Sequence, residues 1–289
     1  MNIKLRATMR DVANLAKVSP ASVSKVINNK PGVSQHTKDV VQQAMDKLNY
    51  RPNNAARSLR AKKSLSIGLV TEDIEGLFTT TLVRGVEDAI RGDGFHAFLC
   101  NSYGNEVLER SNIEALLAKQ VDGFIFLNGY QVKRKSPPIS AEINTPFVFL
   151  YQYTGDHSIQ SVIPDDFQGG VIATEHLINL GHRRIGLING PSTYEASQIR
   201  LEGYQQALEQ ANIDYDPDLV KAGEWNQTEA YHLSKQLLNL DTPPSGIFCT
   251  SDLFAIGADS AIKDSGLRIP EDISLVGFDN RYFAKNQIP

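Results

Sequence analysis

The sequence predicts a small all-α helix-turn-helix domain followed by an α/β domain of two doubly wound parallel-sheet subdomains. Three observations predict this architecture. The first 63 residues are strongly basic, they contain start signals for three short amphipathic helices, and from residue 65 onward short apolar runs alternate with helical segments. A chain of 289 residues is also too long for one ordinary hydrophobic core, so we expect two or three folding units.

The charge of the chain is divided unevenly along its length. Residues 1–63 hold 13 Lys and Arg against three Asp and Glu, whereas residues 64–289 hold 16 against 30. A basic amino-terminal part is typical of a domain that binds the phosphate backbone of DNA. No apolar run approaches the roughly 20 residues that span a bilayer, and the amino terminus lacks the pattern of a secretion signal. We therefore expect a cytoplasmic protein without a membrane partner, in which Cys100 and Cys249 stay reduced.

Start signals for three short helices follow one another between residues 8 and 49. Thr8 forms a capping box for the first helix, Ser19 caps a second helix that begins at Pro20, and Ser34 caps the third. Each helix carries one apolar stripe at the i, i+3, i+4 spacing. Because the gap between the first two helices is short, they cross sharply, which is the geometry that places a second helix in a DNA major groove. These residues leave open a three-helix bundle that binds another protein.

The run from Met9 to Asn28, with Val33-Ser34 and the segment 48–53, closely resembles the DNA-binding domain of the lactose/galactose-repressor (LacI/GalR) family. The resemblance implies a homodimer that binds a palindromic operator in double-stranded DNA. It assigns base reading to Pro20, Ala21 and Lys25, of which Lys25 can donate to the O6 and N7 atoms of guanine. The other DNA contacts that it implies within this domain are Thr8, Ser19, Ser22, Ser24 and Asn28.

Two features beside this motif carry further expectations. Lys17 stands in the turn where many family members have glycine, and a left-handed lysine there costs about 1 kcal/mol. Residues 51–64 have little apolar surface, so we expect this linker to be frayed on its own. The family resemblance implies that it becomes a hinge helix on the operator, with Leu59 wedged in the minor groove and Asn53 and Arg57 as contacts. A basic flexible linker with an incidental leucine is the alternative.

The rest of the chain predicts a βα repeat. The predicted strands are 67–70, 97–99, 123–127, 147–151, 185–188, 246–249 and 273–277, and the predicted helices are 82–90, 107–119, 171–180, 200–210, 228–240 and 253–265. Continuous hydrophobicity in the strands indicates that both sheet faces are covered. Because about 225 residues are better divided into two cores, we predict domains at 1–50, 51–64, 65–163 and 164–289.

Ligands in such sheets bind beyond the carboxyl ends of the strands. The family resemblance extends through this region in motifs such as Gly181-His-Arg-Arg-Ile-Gly and Val276-Gly-Phe-Asp-Asn280, and it implies a fold like that of periplasmic binding proteins with a small-molecule effector in the cleft. It implies that Arg200 and Asp279 grip a diol and that Trp225 forms a stacking wall. The candidate effector residues are Asp73, Leu77, Phe78, Asn101, Tyr151, Arg200, Trp225, Asp252 and Asp279.

The expected function is repression of carbohydrate-utilisation genes, controlled by a small sugar. A nucleoside or purine effector stays open, as does a stand-alone sugar-binding protein. The sequence contains none of the common nucleotide, dinucleotide or zinc motifs, so no enzyme activity, cofactor or metal is expected. The chain stops at Pro289, soon after the Gly277-Phe-Asp-Asn motif, whereas family members continue. We therefore expect a truncated carboxy-terminal subdomain and weak dimerisation.

Overall fold

The computed structural model describes residues 7–51, 63–135, 138 and 144–287. The first of these ranges forms a three-helix domain around a small apolar core that includes Val12, Val23 and Val41. Thr8 and Asp11 make the predicted capping box, and the side chains of Ser19 and Ser34 accept hydrogen bonds from the first turns of the next two helices. The helices are α1 (Met9–Ala16), α2 (Pro20–Ile27) and α3 (Gln35–Lys47).

Lys17 ends α1 in the left-handed conformation that the sequence predicts, with φ 55° and ψ 41°. Replacing it with glycine is expected to stabilise the helical domain by about 1 kcal/mol, because glycine adopts positive φ without the clash of a Cβ atom. Hydrogen exchange of the α1 and α3 amides in the full chain measures this local stability. The matched control is Lys17→Ala, which keeps the Cβ clash. Equal protection in the glycine and alanine variants would contradict the prediction.

The second unit is built on a five-stranded parallel sheet with strand order β2-β1-β3-β4-β5. Its core contains the aromatic rings of Phe124, Phe126 and Phe149. The strands are β1 (Ser66–Thr71), β2 (His96–Asn101), β3 (Gly123–Lys133), β4 (Phe147–Tyr153) and β5 (Ser161–Val162), and the helices that follow β1 and β2 are α4 (Thr79–Arg91) and α5 (Glu106–Ala118).

The third unit is a four-stranded parallel sheet with strand order β7-β6-β8-β9. Its strands are β6 (Ile185–Asn189), β7 (Val220–Ala222), β8 (Gly246–Cys249) and β9 (Ser274–Val276), and its helices are α6 (Asp166–Asn179), α7 (Glu195–Gln210), α8 (Gln227–Leu238) and α9 (Asp252–Lys263). Single turns of 3₁₀ helix lie at Pro217–Leu219 and Ala284–Asn286. The predicted fold class is confirmed, whereas the domain boundaries at residues 50, 64 and 163 stay predictions.

The structure differs from the sequence expectation at three strands. Strand β2 lies at the edge of its sheet, and Phe98 and Leu99 on it are 43% and 37% exposed, so the prediction that every strand is covered on both faces is wrong there. The sequence does not predict strands β5 and β7, which have only two and three residues and therefore show no recognisable apolar run. In the described part of the chain, no helix has the length and apolar character needed to span a membrane.

Candidate effector cleft and DNA-reading helix

A cavity of about 370 Å³ lies between the carboxyl ends of the two sheets. The larger sheet and its loops contribute one half of the lining, namely Asp73, Glu75, Gly76, Leu77, Phe78, Tyr130, Gln131 and Tyr151. The smaller sheet and its helices contribute the other half, namely Pro164, Asp166, Tyr194, Ala196, Arg200, Trp225, Ser251 and Asp279. A ligand in this cavity therefore contacts both subdomains at once.

Arg200 on α7 is buried and contacts two carboxylates of the cavity, those of Asp166 and Asp279. Its Nε donates a hydrogen bond to Oδ1 of Asp166 at 2.8 Å, and its NH1 donates to the carbonyl of Thr250. The same NH1 lies 3.8 Å from Oδ1 of Asp279, and the guanidinium stacks 4.0 Å above the ring of Phe278. The family resemblance implies that this guanidinium grips a diol, but two of its three nitrogens are already bonded within the protein. Arg200 thus serves the ligand site largely by holding the carboxylates.

Two hydrogen-bond acceptors that belong to lining residues lack a donor. Oδ2 of Asp166 and Oε1 of Gln131 are buried and accept no hydrogen bond from any described residue. Buried polar atoms are almost always paired, so these two atoms indicate where a ligand donates. Burial raises the pKa of the Asp166 carboxyl and raises that of Asp279 to about 6. Asp279 also has φ 93°, a strained backbone conformation of the kind that clusters at functional sites.

Aromatic rings form opposite walls of the cavity. Trp225 stacks on Phe254 with ring centroids 5.0 Å apart, and its edge meets Tyr194, which in turn contacts Tyr130 across the cleft at 5.7 Å. Because a Cβ atom on Gly190 would lie only 2.0 Å from the indole, the backbone there must be glycine for Trp225 to sit where it does. The facing wall is the pair Phe78 and Tyr151, whose ring centroids are 5.6 Å apart.

Direct contacts join the two subdomains beside the cavity. The hydroxyl of Tyr153, at the end of β4, donates its hydrogen to the carboxylate of Glu195, whose two oxygens lie 2.5 and 2.6 Å away. Burial and this hydrogen bond raise the pKa of Tyr153 to about 12, so the phenol stays a donor at neutral pH. NH2 of Arg281 also donates to the carbonyl of Leu77 at 3.3 Å. These two contacts therefore help to fix the position of one subdomain relative to the other.

The structure brings together seven of the nine predicted effector residues, namely Asp73, Leu77, Phe78, Tyr151, Arg200, Trp225 and Asp279. Asn101 and Asp252 were predicted to lie in the site as well, but the structure places them outside the lining of the cavity. Asn101 ends the edge strand β2, where its carbonyl accepts a hydrogen bond from Asn112. The carboxylate of Asp252 accepts from the backbone N–H of Arg281 at 2.6 Å, so it holds the loop after β9 and does not line the cavity.

Sequence reasoning missed several lining residues because it misplaced the ends of elements. Strand β3 is predicted to end at residue 127 but runs to Lys133, and so carries Tyr130 and Gln131 into the cleft. Helices α6 and α7 each begin five residues before their predicted starts, and these first turns carry the cavity residues Asp166 and Ala196. The lining residues that are not among the nine predicted effector residues are Glu75, Gly76, Tyr130, Gln131, Pro164, Asp166, Tyr194, Ala196 and Ser251.

The predicted DNA-reading residues lie on the solvent face of α2. Pro20, Ala21 and Lys25 are exposed, whereas Val23 on the opposite face is fully buried in the three-helix core. Several of the other candidates already have partners within the domain: Ser19 and Ser22 bond each other, Asn28 donates to the Ser24 carbonyl, and the Thr8 hydroxyl donates to Asp11. The predicted hinge contacts Asn53, Arg57 and Leu59 lie outside the described residues.

Among the described residues, no group of three or more His, Cys, Asp or Glu side chains is arranged to hold a metal ion. The two cysteines are unpaired, and burial raises the pKa of both thiols, most strongly that of the fully buried Cys249. Such thiols are poor nucleophiles because the reactive form is the thiolate.

Two family models match the chain. Residues 8–53 match the model described as bacterial regulatory proteins, lacI family, and residues 174–289 match a periplasmic binding protein-like domain. Among curated proteins, the HTH-type transcriptional repressor PurR of Pasteurella multocida is 34% identical over 98% of this chain and 85% of its own length. PurR of Haemophilus influenzae (strain PittEE) is 33% identical over 98% and 84%.

Solved structures of transcriptional regulators are also similar to this chain. The Lac repressor dimer bound to operator and the anti-inducer ONPF has a TM-score of 0.77 and 31% identity, covering 96% of this chain and 84% of that one. The complex of the transcriptional regulator CelR with cellobiose has a TM-score of 0.61 and 30% identity, covering 95% and 83%.

Proposed function

Because the chain belongs to the LacI family of bacterial regulatory proteins, we propose that its cleft binds a small sugar and that this sugar controls operator binding. The protein is a DNA-binding transcriptional regulator, and its family consists of regulators that bind operator DNA and small-molecule effectors. The family is not one of enzymes. The identity of the effector and the residues that hold it are the proposed part.

One observation carries the proposal of a sugar: unpartnered acceptors stand beside an aromatic wall. Oδ2 of Asp166 and Oε1 of Gln131 need donors, and the hydroxyl groups of a sugar donate hydrogen bonds in several directions. The C–H face of a sugar ring packs on the exposed face of an indole such as Trp225. The similar regulator CelR was solved in complex with cellobiose, and this sugar ligand supports the same ligand class here.

A purine is the second candidate, and the names of the relatives favour it. The curated relatives above are called PurR, and a planar base also fits a stack on Trp225. The donors of a purine lie in one plane, whereas the hydroxyl groups of a sugar point in several directions, which suits two acceptors that belong to opposite halves of the lining. The geometry therefore favours the sugar, whereas the relatives favour the purine.

For DNA, we propose that a homodimer places α2 of each subunit in successive major grooves of a palindromic operator in the cytoplasm. Lys25, Pro20 and Ala21 on the exposed face are the base-reading residues, because they are free of contacts with the core. A ligand that contacts both sheets shifts the angle between the subdomains, and this shift changes the spacing of the two linkers that lead to the DNA-binding domains. The proposed response is relief of repression.

A thermal-shift screen of the full chain tests the ligand class. Mono- and disaccharides are compared with hypoxanthine, guanine and adenosine, because a ligand at 100 times its Kd stabilises the folded state by about 2.7 kcal/mol. We expect a sugar to raise the melting temperature and the purines to leave it unchanged. A shift produced by purines alone would replace the sugar by the second candidate, and no shift with any probe would overturn the proposed cleft function.

A further inference from the structure

We propose that the sugar bound in the cleft carries a protonated amine, so that an amino sugar is the preferred ligand class. This inference rests on the proposed function, which supplies the sugar. Two observations motivate it. The buried carboxylates of the cavity outnumber its buried cation, and one carboxylate oxygen, Oδ2 of Asp166, accepts no hydrogen bond from the described residues.

The buried charges of the cavity do not cancel. Asp166, Asp279 and Arg200 are all nearly inaccessible to solvent, with side-chain exposures of 1%, 6% and 9%. The two carboxylates share this one guanidinium, which is 2.8 Å from Asp166 but 3.8 Å from Asp279. When both carboxylates are ionised, this cluster therefore carries one negative charge in excess. Burial also raises the pKa of both carboxyls, because removal from water penalises their charged forms.

The neighbouring cation does not correct the imbalance. The backbone N–H of Arg281 bonds Asp252, and its guanidinium points to the Leu77 carbonyl and lies over the rings of Phe78 and Phe283. Asp252 is itself a buried carboxylate, so it offsets the charge of Arg281. At the mouth of the cavity, the exposed side chains of Asp73 and Glu75 add further negative charge. Among the described lining residues, Arg200 is the only cation against four carboxylates.

An unpartnered atom marks where the positive charge belongs. Asp166 is 2% exposed, and its Oδ2 accepts no hydrogen bond from the described residues, although its Oδ1 is paired with Arg200. A hydroxyl group of a sugar satisfies such an oxygen but leaves the excess charge in place. An ammonium group donates up to three hydrogen bonds and also neutralises the charge, and charge-assisted hydrogen bonds are about twice as strong as neutral ones.

The aromatic walls favour the same ligand. Trp225 and Tyr194 line the side of the smaller sheet, and Phe78, Tyr130 and Tyr151 line the side of the larger sheet. The negative face of an aromatic ring attracts a cation within about 6 Å of its centroid. A phosphorylated sugar, in contrast, brings negative charge into a lining that is already acidic. The lining thus selects against anions and in favour of cations.

The experiment compares sugars that differ in one group. Glucosamine, glucose and N-acetylglucosamine form one set, galactosamine, galactose and N-acetylgalactosamine form another, and glucose 6-phosphate is the anionic probe. Binding to the full chain is measured by calorimetry and by melting temperature. We expect at least one amino sugar to bind tenfold or more tightly than both its parent sugar and its N-acetyl form, and we expect no binding of the phosphate.

Variants of the carboxylates separate charge from shape. Asp166→Asn removes the charge but keeps the size of the side chain, so we expect it to weaken binding of the amino sugar about tenfold more than binding of its parent sugar. Asp279→Asn gives a second reading if the first variant does not fold. The matched control is Asp216→Asn, because Asp216 pairs with Arg184 outside the cavity and its loss leaves the preference unchanged.

Each outcome decides between the two proposals. If neutral sugars bind as tightly as their amino counterparts, the inference of an amine is overturned and the proposed sugar function stands. If no sugar or amino sugar binds and hypoxanthine or guanine does, both the inference and the sugar function are overturned.

Discussion

Arg200→Ala is expected to abolish the ligand response and to lower the free energy of unfolding by roughly 3 to 5 kcal/mol. The substitution leaves Asp166 and Asp279 as buried carboxylates without their shared counter-charge, and it also removes the hydrogen bond to the Thr250 carbonyl. Denaturant unfolding of the full chain measures the loss of stability. The melting shift that the effector produces in the wild type measures the loss of response.

A surface ion pair provides the matched control for this variant. Arg184 bonds Asp216 at 2.8 Å, but both side chains are about one third exposed, so Arg184→Ala is expected to cost less than about 1 kcal/mol and to leave ligand binding intact. An Arg200→Ala protein that is as stable as the control and still responds to the ligand would show that the guanidinium does not organise the site.

Gly190→Ala is expected to weaken ligand binding at least tenfold. A Cβ atom at this position would lie 2.0 Å from the indole of Trp225, which is far inside van der Waals contact, so the ring must leave its position against Phe254. Overpacking of this kind usually costs about 1 to 3 kcal/mol, and here the displaced ring is the stacking wall of the cavity. Calorimetric titration with the effector measures the loss of affinity, and the fluorescence of Trp225 reports the displacement of its ring.

Gly155→Ala is the control for the glycine substitution. A Cβ atom at Gly155 meets no other atom within 4 Å, so the same chemical change is accommodated there without movement of any ring. Wild-type ligand affinity in Gly190→Ala, together with unchanged tryptophan fluorescence, would mean that Trp225 is not a wall of the binding site.

The helix-turn-helix domain was the part of the fold most open to prediction, because its signals are local. Thr8, Ser19 and Ser34 are capping residues whose partners lie within three positions along the chain, and the structure shows these caps. The left-handed Lys17 is also a local feature of the turn. The alternation of apolar runs and amphipathic helices likewise predicted the parallel sheets, but not the short strands β5 and β7, which depend on pairing with distant neighbours.

The cleft was predictable only in part, because its geometry depends on where elements end. Arg200, Trp225 and Asp279 came from the resemblance to a family, and Tyr151 from its position after an apolar strand. Asp166 was missed although it sits beside Asp165 at the start of a helix, since acidic residues there are equally typical of helix caps. Asp166 is recognised as a site residue only through its hydrogen bond with Arg200, which is 34 residues away in sequence but 2.8 Å away in space.

Selection of operator DNA from a random duplex library tests the central claim most directly. We predict that the wild-type protein enriches a palindrome with one half-site for each of two α2 helices. Lys25→Ala is predicted to lose about 1 to 3 kcal/mol of affinity for that palindrome, with relaxed preference at one base pair of each half-site. The control Lys235→Ala, on α8 of the large domain, should bind like the wild type. Enrichment of no sequence, or an unchanged palindrome and affinity in Lys25→Ala, would contradict the assignment of α2 as the helix that reads DNA.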